Sequence, residues 1–372
     1  MKLRSAVYFA LAAGLICMPM AGFARQDAPA GAQPAANSAP GASNSSQAGA
    51  VSLDVYVADK SGAPVTGLQA SDFKLTLDKK QQQNIVSVRA LASAGTADDP
   101  PAVAVLVLDN VCGSILTVSQ ERQMLDKYFD ENGQLPIPIY LVILTDQGMK
   151  IHTPATQDGK VLKDFLDANT NDLHNLLRPD GWTGEMERAQ VSWKTLDYIT
   201  SQVGPMPGRK LFIWLSPGWN LQTNGQWDGA SKSDEQQLYD HAAKELTALR
   251  TGRVTLYQID PWGPDHEMKF APIYEAFVKG LENPKHADYG YLLLQILAIQ
   301  SGGQALYLSN NMSSLITKCL DESKSYYTLT FNPPAGDHPT EYHSVEVQVD
   351  KPGAKARTRT VYYSNPAAAA AK

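Results

Sequence analysis

Residues Val103–Asp109 read Val-Ala-Val-Leu-Val-Leu-Asp, with no polar side chain before the last position. Pro100-Pro101 precede the run and Asn110-Val111-Cys112-Gly113-Ser114 follow it. A short, uniformly apolar run bounded in this way is a strand buried on both faces. Such strands belong to parallel sheets covered by helices, which restricts the chain to an α/β architecture. Asp109 stands where the chain leaves the sheet at its carboxyl edge, the edge at which open α/β folds hold ligands.

Three further runs have the same character: Ile139–Leu144, Lys210–Leu215 and Val254–Ile259. Between and after them lie helical patterns at Val118–Glu131, Asp158–Leu166 with Asp158 as a cap, Glu185–Val203, Asp234–Arg250, Tyr289–Ile299 and Ser313–Glu322. Met149–His152 reads as a short edge strand and Ala305–Leu308 as the last strand of the sheet. Alternating strands and helices at these spacings predict βαβ crossovers and a doubly wound, mostly parallel sheet over 99–324.

The flanks differ. Val51, Leu53, Val55 and Val57 alternate with polar residues, as do Phe73, Leu75 and Leu77, and then Val86, Val88 and Ala90. After the α/β region, Tyr326–Phe331, Tyr342–Val349 and Thr358–Tyr363 alternate again. Alternation marks strands with one buried face. The segments 51–98 and 325–364 are therefore expected to pair as one small antiparallel β module built from both flanks, with 365–372 an Ala-rich tail.

The first residues are not read as fold. A basic start (Lys2, Arg4), an apolar stretch from Ala6 to Met20 and the small-x-small site Gly22-Phe23-Ala24 have the form of a secretory signal peptide, residues 1–24. Residues 25–50, rich in Ala, Pro, Ser and Gly, read as a disordered linker. Removing Lys2 and Arg4 takes the net charge from -6 to -8, since two positive charges leave. An acidic chain suits neither nucleic acid nor an anionic membrane, and no later apolar run is long enough to span a bilayer. A secreted location, periplasmic or extracellular, is expected. Cys112 and Cys319 would then meet an oxidising compartment, but one is placed at the top of the sheet and the other partway down a helix, so they are read as separate buried thiols.

Three stretches, in order, carry a resemblance: Gly62-Ala63-Pro64-Val65-Thr66-Gly67-Leu68 with Ser71-Asp72-Phe73; Gly208-Arg209-Lys210 before the strand ending Leu215-Ser216; and Ser301-Gly302-Gly303 followed by Tyr326-Tyr327-Thr328-Leu329 and Tyr342-His343. In this arrangement the chain resembles a von Willebrand factor type A domain, and more closely the VWFA-related family of secreted bacterial proteins. The resemblance implies an open sheet wrapped by helices and used for binding.

Many domains of that type hold Mg²⁺ through Asp-x-Ser-x-Ser after the first strand, a Thr from a later loop and an Asp after a later strand. Asp109 matches the first Asp, but Val111 and Gly113 stand at the two Ser positions, and Leu215-Ser216-Pro217-Gly218 replaces the later Asp motif. Thr183 matches the loop Thr; Ser114 and Ser216 are displaced oxygens. Mg²⁺ wants about six oxygen ligands in a near-octahedral array, and one carboxylate compensates its charge poorly. The expectation is no metal, with Asp109 accepting backbone N–H bonds from the following turn. Mg²⁺ held by Asp109, Ser114 and Thr183 is the alternative.

Other chemistry is sparse. Trp214-Leu215-Ser216-Pro217-Gly218 lacks the first Gly of a nucleophile elbow, the seven His residues form no zinc pattern, and Asp240-His241 reads as a solvated helix face. An envelope hydrolase is disfavoured and the chain is read as non-enzymatic. Trp182, Trp219 and Trp262 each follow the predicted sheet top, with Trp227 nearby. Large amphipathic rings concentrate binding energy, so these residues with Asp109, Thr183, Ser114 and Ser216 form a candidate face for a protein or peptide partner. The competing reading packs the rings against the sheet.

Overall fold

The computed structural model describes residues 50–92, 95, 99–169, 182–219, 232–260, 293–307, 311–338 and 340–364. The segments read as leader and tail, all but the last residue of the segment read as linker, Trp227 and Trp262 lie outside them.

The central sheet has seven strands. Strand β5 (Val103–Asp109) lies between β6 (Gln134–Thr145) and β9 (Lys210–Leu215), parallel to both. Next to β9 come β10 (Val254–Asp260) and then β11 (Ala305–Tyr307), both parallel. On the other side β7 (Gly148–Ile151) closes the sheet antiparallel to β6, and β8 (Thr156–Asp158) pairs antiparallel with the same strand. The spatial order β7-β6-β5-β9-β10-β11 is that of a doubly wound α/β sheet, reversing direction between β5 and β9. Every residue of β5, β9 and β10 is buried, as unbroken apolar strands require.

Helices cover both faces. On one, α1 (Ile115–Glu131), α2 (Gly159–Ala168) and α6 (Met312–Asp321) pack Val118, Leu125, Phe129, Leu162, Leu166 and Ile316 onto Ala104, Leu106, Leu108, Leu141 and Ile213. On the other, α3 (Trp182–Val203), α4 (Lys232–Thr251) and α5 (Leu293–Gln300) pack Ala189, Leu196, Ile199, Leu246 and Leu297 onto Val105, Val107, Phe212 and Leu256. Asp158 caps α2 as expected, accepting from the backbone N–H of Lys160 and of Val161. Cys112 packs with the second core and Cys319 with the first, and both are free thiols. No helix among the described residues is long and apolar enough to cross a membrane.

The flanks form two four-stranded sheets face to face. One has the order β14-β1-β12-β4, from Lys355–Arg357, Val51–Ala58, Tyr326–Phe331 and Ile85–Leu91. The other has the order β15-β13-β2-β3, from Val361–Ser364, Glu341–Val349, Phe73–Leu77 and Gln81–Gln83. Leu53, Val55, Leu75, Leu77, Leu329, Phe331 and Val345 meet between them. Partners from opposite ends of the chain thus interleave: β1 pairs β12 and β2 pairs β13.

Three predicted elements differ. In β4, the edge strand of its sheet, the expected alternation does not mark a buried face: Val86 and Ala90 are exposed and Leu91 is buried. Thr358–Tyr363, read as one strand, is broken. The Thr358 hydroxyl donates to the Asp54 carbonyl and Arg359 turns inward to the carbonyls of Leu246 and Val254, so the chain leaves one sheet at Arg357 and enters the other at Val361. Strand β6 begins five residues before Ile139, through Pro136 and Pro138. Among the described residues its early part pairs only with β8, and prolines are tolerated on such an edge.

Buried and half-buried arginines fix the sandwich to the α/β unit. Arg253 donates to Asp54 at 3.0 Å and to Asp99 at 2.6 Å, and the Arg209 guanidinium lies 4.6 Å from the Tyr326 ring centroid. Arg357 pairs with Glu322, whose other oxygen takes the Tyr257 hydroxyl. Lys210 is caged at its ammonium by the carbonyls of Gly204, Met206 and Gly208, and burial draws its pKa down to about 8.

Candidate functional site

The strand order reverses between β5 and β9, and the carboxyl ends of such strands are the position where open α/β sheets receive ligands. Asp109 ends β5 there, and it is fully buried. Its Oδ1 accepts from the backbone N–H of Val111 at 3.0 Å and of Cys112 at 3.2 Å. Its Oδ2 accepts from the Ser192 hydroxyl at 2.6 Å and the Trp214 indole N–H at 3.0 Å. Both oxygens are thus taken up by the protein's own donors. Ser192 faces inward because α3 buries every third or fourth residue, Ala189, Ser192, Leu196 and Ile199, against the sheet.

The network extends through a second ring. Trp219 donates its indole N–H to Ser192 Oγ at 2.7 Å and stacks on Trp193, centroids 5.4 Å apart and planes 14° from parallel. Trp219 is fully buried. It therefore does not belong to an exposed aromatic rim: the packing reading holds for this ring, because an indole beside a buried hydroxyl finds both a hydrogen bond and a stacking partner.

The remaining predicted residues are dispersed. Ser114 is exposed and caps α1, its Oγ accepting from the Thr117 N–H at 3.1 Å. Ser216 is buried, its hydroxyl accepting from the Gly218 N–H and its carbonyl from the Gln258 amide. Trp182 and Thr183 begin α3 rather than standing in a loop before it, and their side chains lie outside the described residues, as does Trp262. Among the described residues no group of three or more His, Cys, Asp or Glu side chains is placed to hold a metal ion.

Three features of the helices around the sheet escaped the sequence reading. Ile115 and Leu116, in the first turn of α1, are 53% and 65% exposed. Glu121, one turn and a half further along α1, is wholly buried with no hydrogen-bond partner on either oxygen among the described residues. Burial, then the charges of Asp260 and Asp109, push its carboxyl well above the usual range. Between α3 and α4, Glu245 takes the Thr200 hydroxyl at 3.1 Å while the His241 ring meets Asp197 at 3.2 Å. Burial, reinforced by Asp197, raises Glu245 to about 9. Burial also pushes Asp197 up, but the hydrogen bonds from His241 and the Glu245 acid more than offset it and leave that carboxyl lowered. His241 in turn lies 4.6 Å from the Trp193 ring, linking the helix pair to the Asp109 network.

The class these features define is a mixed α/β fold with a mostly parallel central sheet and additional antiparallel strands. No protein-family model matches the chain, and no curated protein matches it. Among solved structures it is similar to an aerotolerance-related membrane protein from Bacteroides fragilis, at 9% identity, covering 59% of this chain and 98% of the other with a TM-score of 0.33. It is also similar to the manganese-loaded TRAP protein of Plasmodium vivax, at 10% identity, covering 77% of this chain and 100% of the other with a TM-score of 0.34. At these scores the likenesses carry no functional weight.

Proposed function

We propose that this is a secreted, non-enzymatic protein-interaction module on a degenerate von Willebrand factor A-like scaffold, recognising its partner without a metal ion. The observation that carries the reading is the saturation of Asp109 by four protein donors. A carboxylate held in this way offers no lone pair in the direction of a cation unless the network is dismantled. The strand order with an antiparallel edge strand supports the scaffold, and the leader pattern Lys2 to Ala24 supports export. Ile115 and Leu116, apolar and exposed beside the Asp109 edge, supply contact surface of the kind that protein partners cover.

The experiment is paired capture from a native envelope fraction, in Mg²⁺ and in EDTA, with the wild type and the Ile115→Asp/Leu116→Asp variant, alongside calorimetric titration of Mg²⁺. The expected result is the same partner in both buffers, its loss in the variant, and no saturable Mg²⁺ heat at micromolar concentration. Capture abolished by EDTA, or micromolar Mg²⁺ binding lost in Asp109→Ala, overturns the reading.

A further inference from the structure

A cleft of about 930 Å³ opens at the seam between the sandwich and the α/β unit. Its walls are the end of α1, helix α6 and the face of β1 and β14 from which Tyr56, Ala58, Lys355 and Arg357 line it. The volume is in the range of small-ligand sites, about 300–1,000 Å³, and seams between packed units are a usual place for them.

The lining carries no net charge. Four carboxylates, Asp59, Glu131, Asp321 and Glu322, stand against four cations, Lys127, Lys318, Lys355 and Arg357. The carboxylates are held by the protein itself. Glu131 takes the Ser313 hydroxyl at 3.0 Å and meets Lys127 at 3.7 Å, and Glu322 pairs with Arg357. Asp59 accepts from the Ser61 hydroxyl at 2.6 Å, and Asp321 pairs with Lys324 at 2.6 Å. A charged occupant would leave water for a lining with no net countercharge, so the balance favours a neutral one.

The groups left open include neutral ones of mixed character. The Gln304 side-chain amide and the Thr317 hydroxyl line the cleft, half-buried, and make no hydrogen bond among the described residues. Asn132 gives an amide N–H to the Tyr128 carbonyl at 2.8 Å, which leaves its side-chain oxygen as an acceptor. Hydroxyls both donate and accept, so they answer all three. Beside these groups is apolar surface. The Tyr56 ring lines the cleft, fixed by its hydroxyl, which donates to the Gly62 carbonyl at 3.0 Å, and Ala58 and Ala356 line it as well. An amphipathic ring of this kind covers flat C–H surface while the polar groups around it fix orientation. Hydroxyls on the rim and C–H groups on the faces describe a pyranose.

We propose that this cleft binds a neutral oligosaccharide, with sugar hydroxyls bonded to Gln304, Thr317 and Asn132 and a sugar face laid on Tyr56. The site goes beyond partner recognition at the Asp109 edge and does not depend on it.

The test is isothermal titration calorimetry of the full chain with three neutral trisaccharides: maltotriose, cellotriose and triacetylchitotriose. The comparison probes are a heparin hexasaccharide and a neutral Ser–Gly hexapeptide. Saturable binding of at least one trisaccharide is expected, weakened at least tenfold in Gln304→Ala/Thr317→Ala and in Tyr56→Leu, and unchanged in Ile115→Asp/Leu116→Asp. The affinity should be the same in about 50 and about 500 mM NaCl, since no net charge is there to be screened. The Gln304 and Thr317 side chains are half-buried and without partners among the described residues, so the double variant should fold, which circular dichroism checks. No saturable binding of any trisaccharide, indifference to the double variant, loss of binding in high salt, or tighter binding of the hexasaccharide or the hexapeptide each overturns it.

Discussion

Replacing Asp109 by Ala separates the two ways in which an aspartate at the end of a central strand can be used. In this structure the side chain holds three buried N–H groups, from Val111, Cys112 and Trp214, and the hydroxyl of Ser192. The hydroxyl can turn elsewhere; the three N–H groups are fixed by backbone and ring. A buried donor left without an acceptor costs about 1–3 kcal/mol. Three of them, partly relieved by a water entering the vacated space, give a loss of about 3–5 kcal/mol. Asp109→Asn should cost less, about 1–3 kcal/mol, because the amide oxygen can still serve Val111 and Cys112 while its NH₂ opposes the Trp214 N–H. Urea denaturation followed by tryptophan fluorescence measures both, in EDTA and in 10 mM Mg²⁺. An open metal-site aspartate would behave in the opposite way: without the ion its removal is neutral or stabilising, and the ion widens the gap. Asp109→Ala within about 1 kcal/mol of wild type in EDTA, or a wild-type advantage appearing only with Mg²⁺, would refute the reasoning.

Glu121→Leu should stabilise the chain by about 2 kcal/mol at neutral pH, since an unpartnered buried carboxyl gives way to an apolar group of similar size; a destabilised variant in thermal melts would mean that something bound depends on that acid. The carboxyl pair between α3 and α4 sets a pH dependence. Glu245 titrates near 9 when folded against about 4.5 when unfolded, so the native state keeps a proton that the unfolded chain releases, and stability falls as pH rises from about 4.5 to 9. Glu245→Gln, which can still donate to Asp197, should match wild type near pH 4.5 and gain on it as pH rises to 8.5, by up to about 1.4 kcal/mol per pH unit; parallel stability-versus-pH curves for the two proteins would contradict the shared proton.

The fold was legible where burial follows chain order. Val103–Asp109 occupies the expected strand because a run buried on both faces has no period to misread, and the alternation of Val51 to Val57 reappears in the sandwich core. The site was less legible because its partners are distant. The Asp109 acceptor role was expected from the following turn, and Val111 and Cys112 fill it. Ser192 and Trp214, 83 and 105 residues away, read as ordinary helix and core positions. One signal was present: a Trp in the middle of a buried strand needs an acceptor for its indole N–H, and the nearest strand ends in a carboxylate. Glu121 gave no such sign, since an acid in a helix is usually solvated. The break at Thr358–Arg359 was hidden because alternation persists on both sides of it while the chain changes sheet.

The interleaved flanks bear on how the chain is made. Ser52 sits opposite Thr330, 278 positions later, so the first strands to emerge wait for nearly the last ones, with the whole α/β unit synthesised in between. Until then β1 and β2 carry bare edges and an uncovered apolar face, the condition in which strands find wrong neighbours. A chain that stops short of Tyr326 would lack more than a tail: it would retain an orphaned half-sandwich, and quality control should clear it as misfolded even with every residue around Asp109 intact.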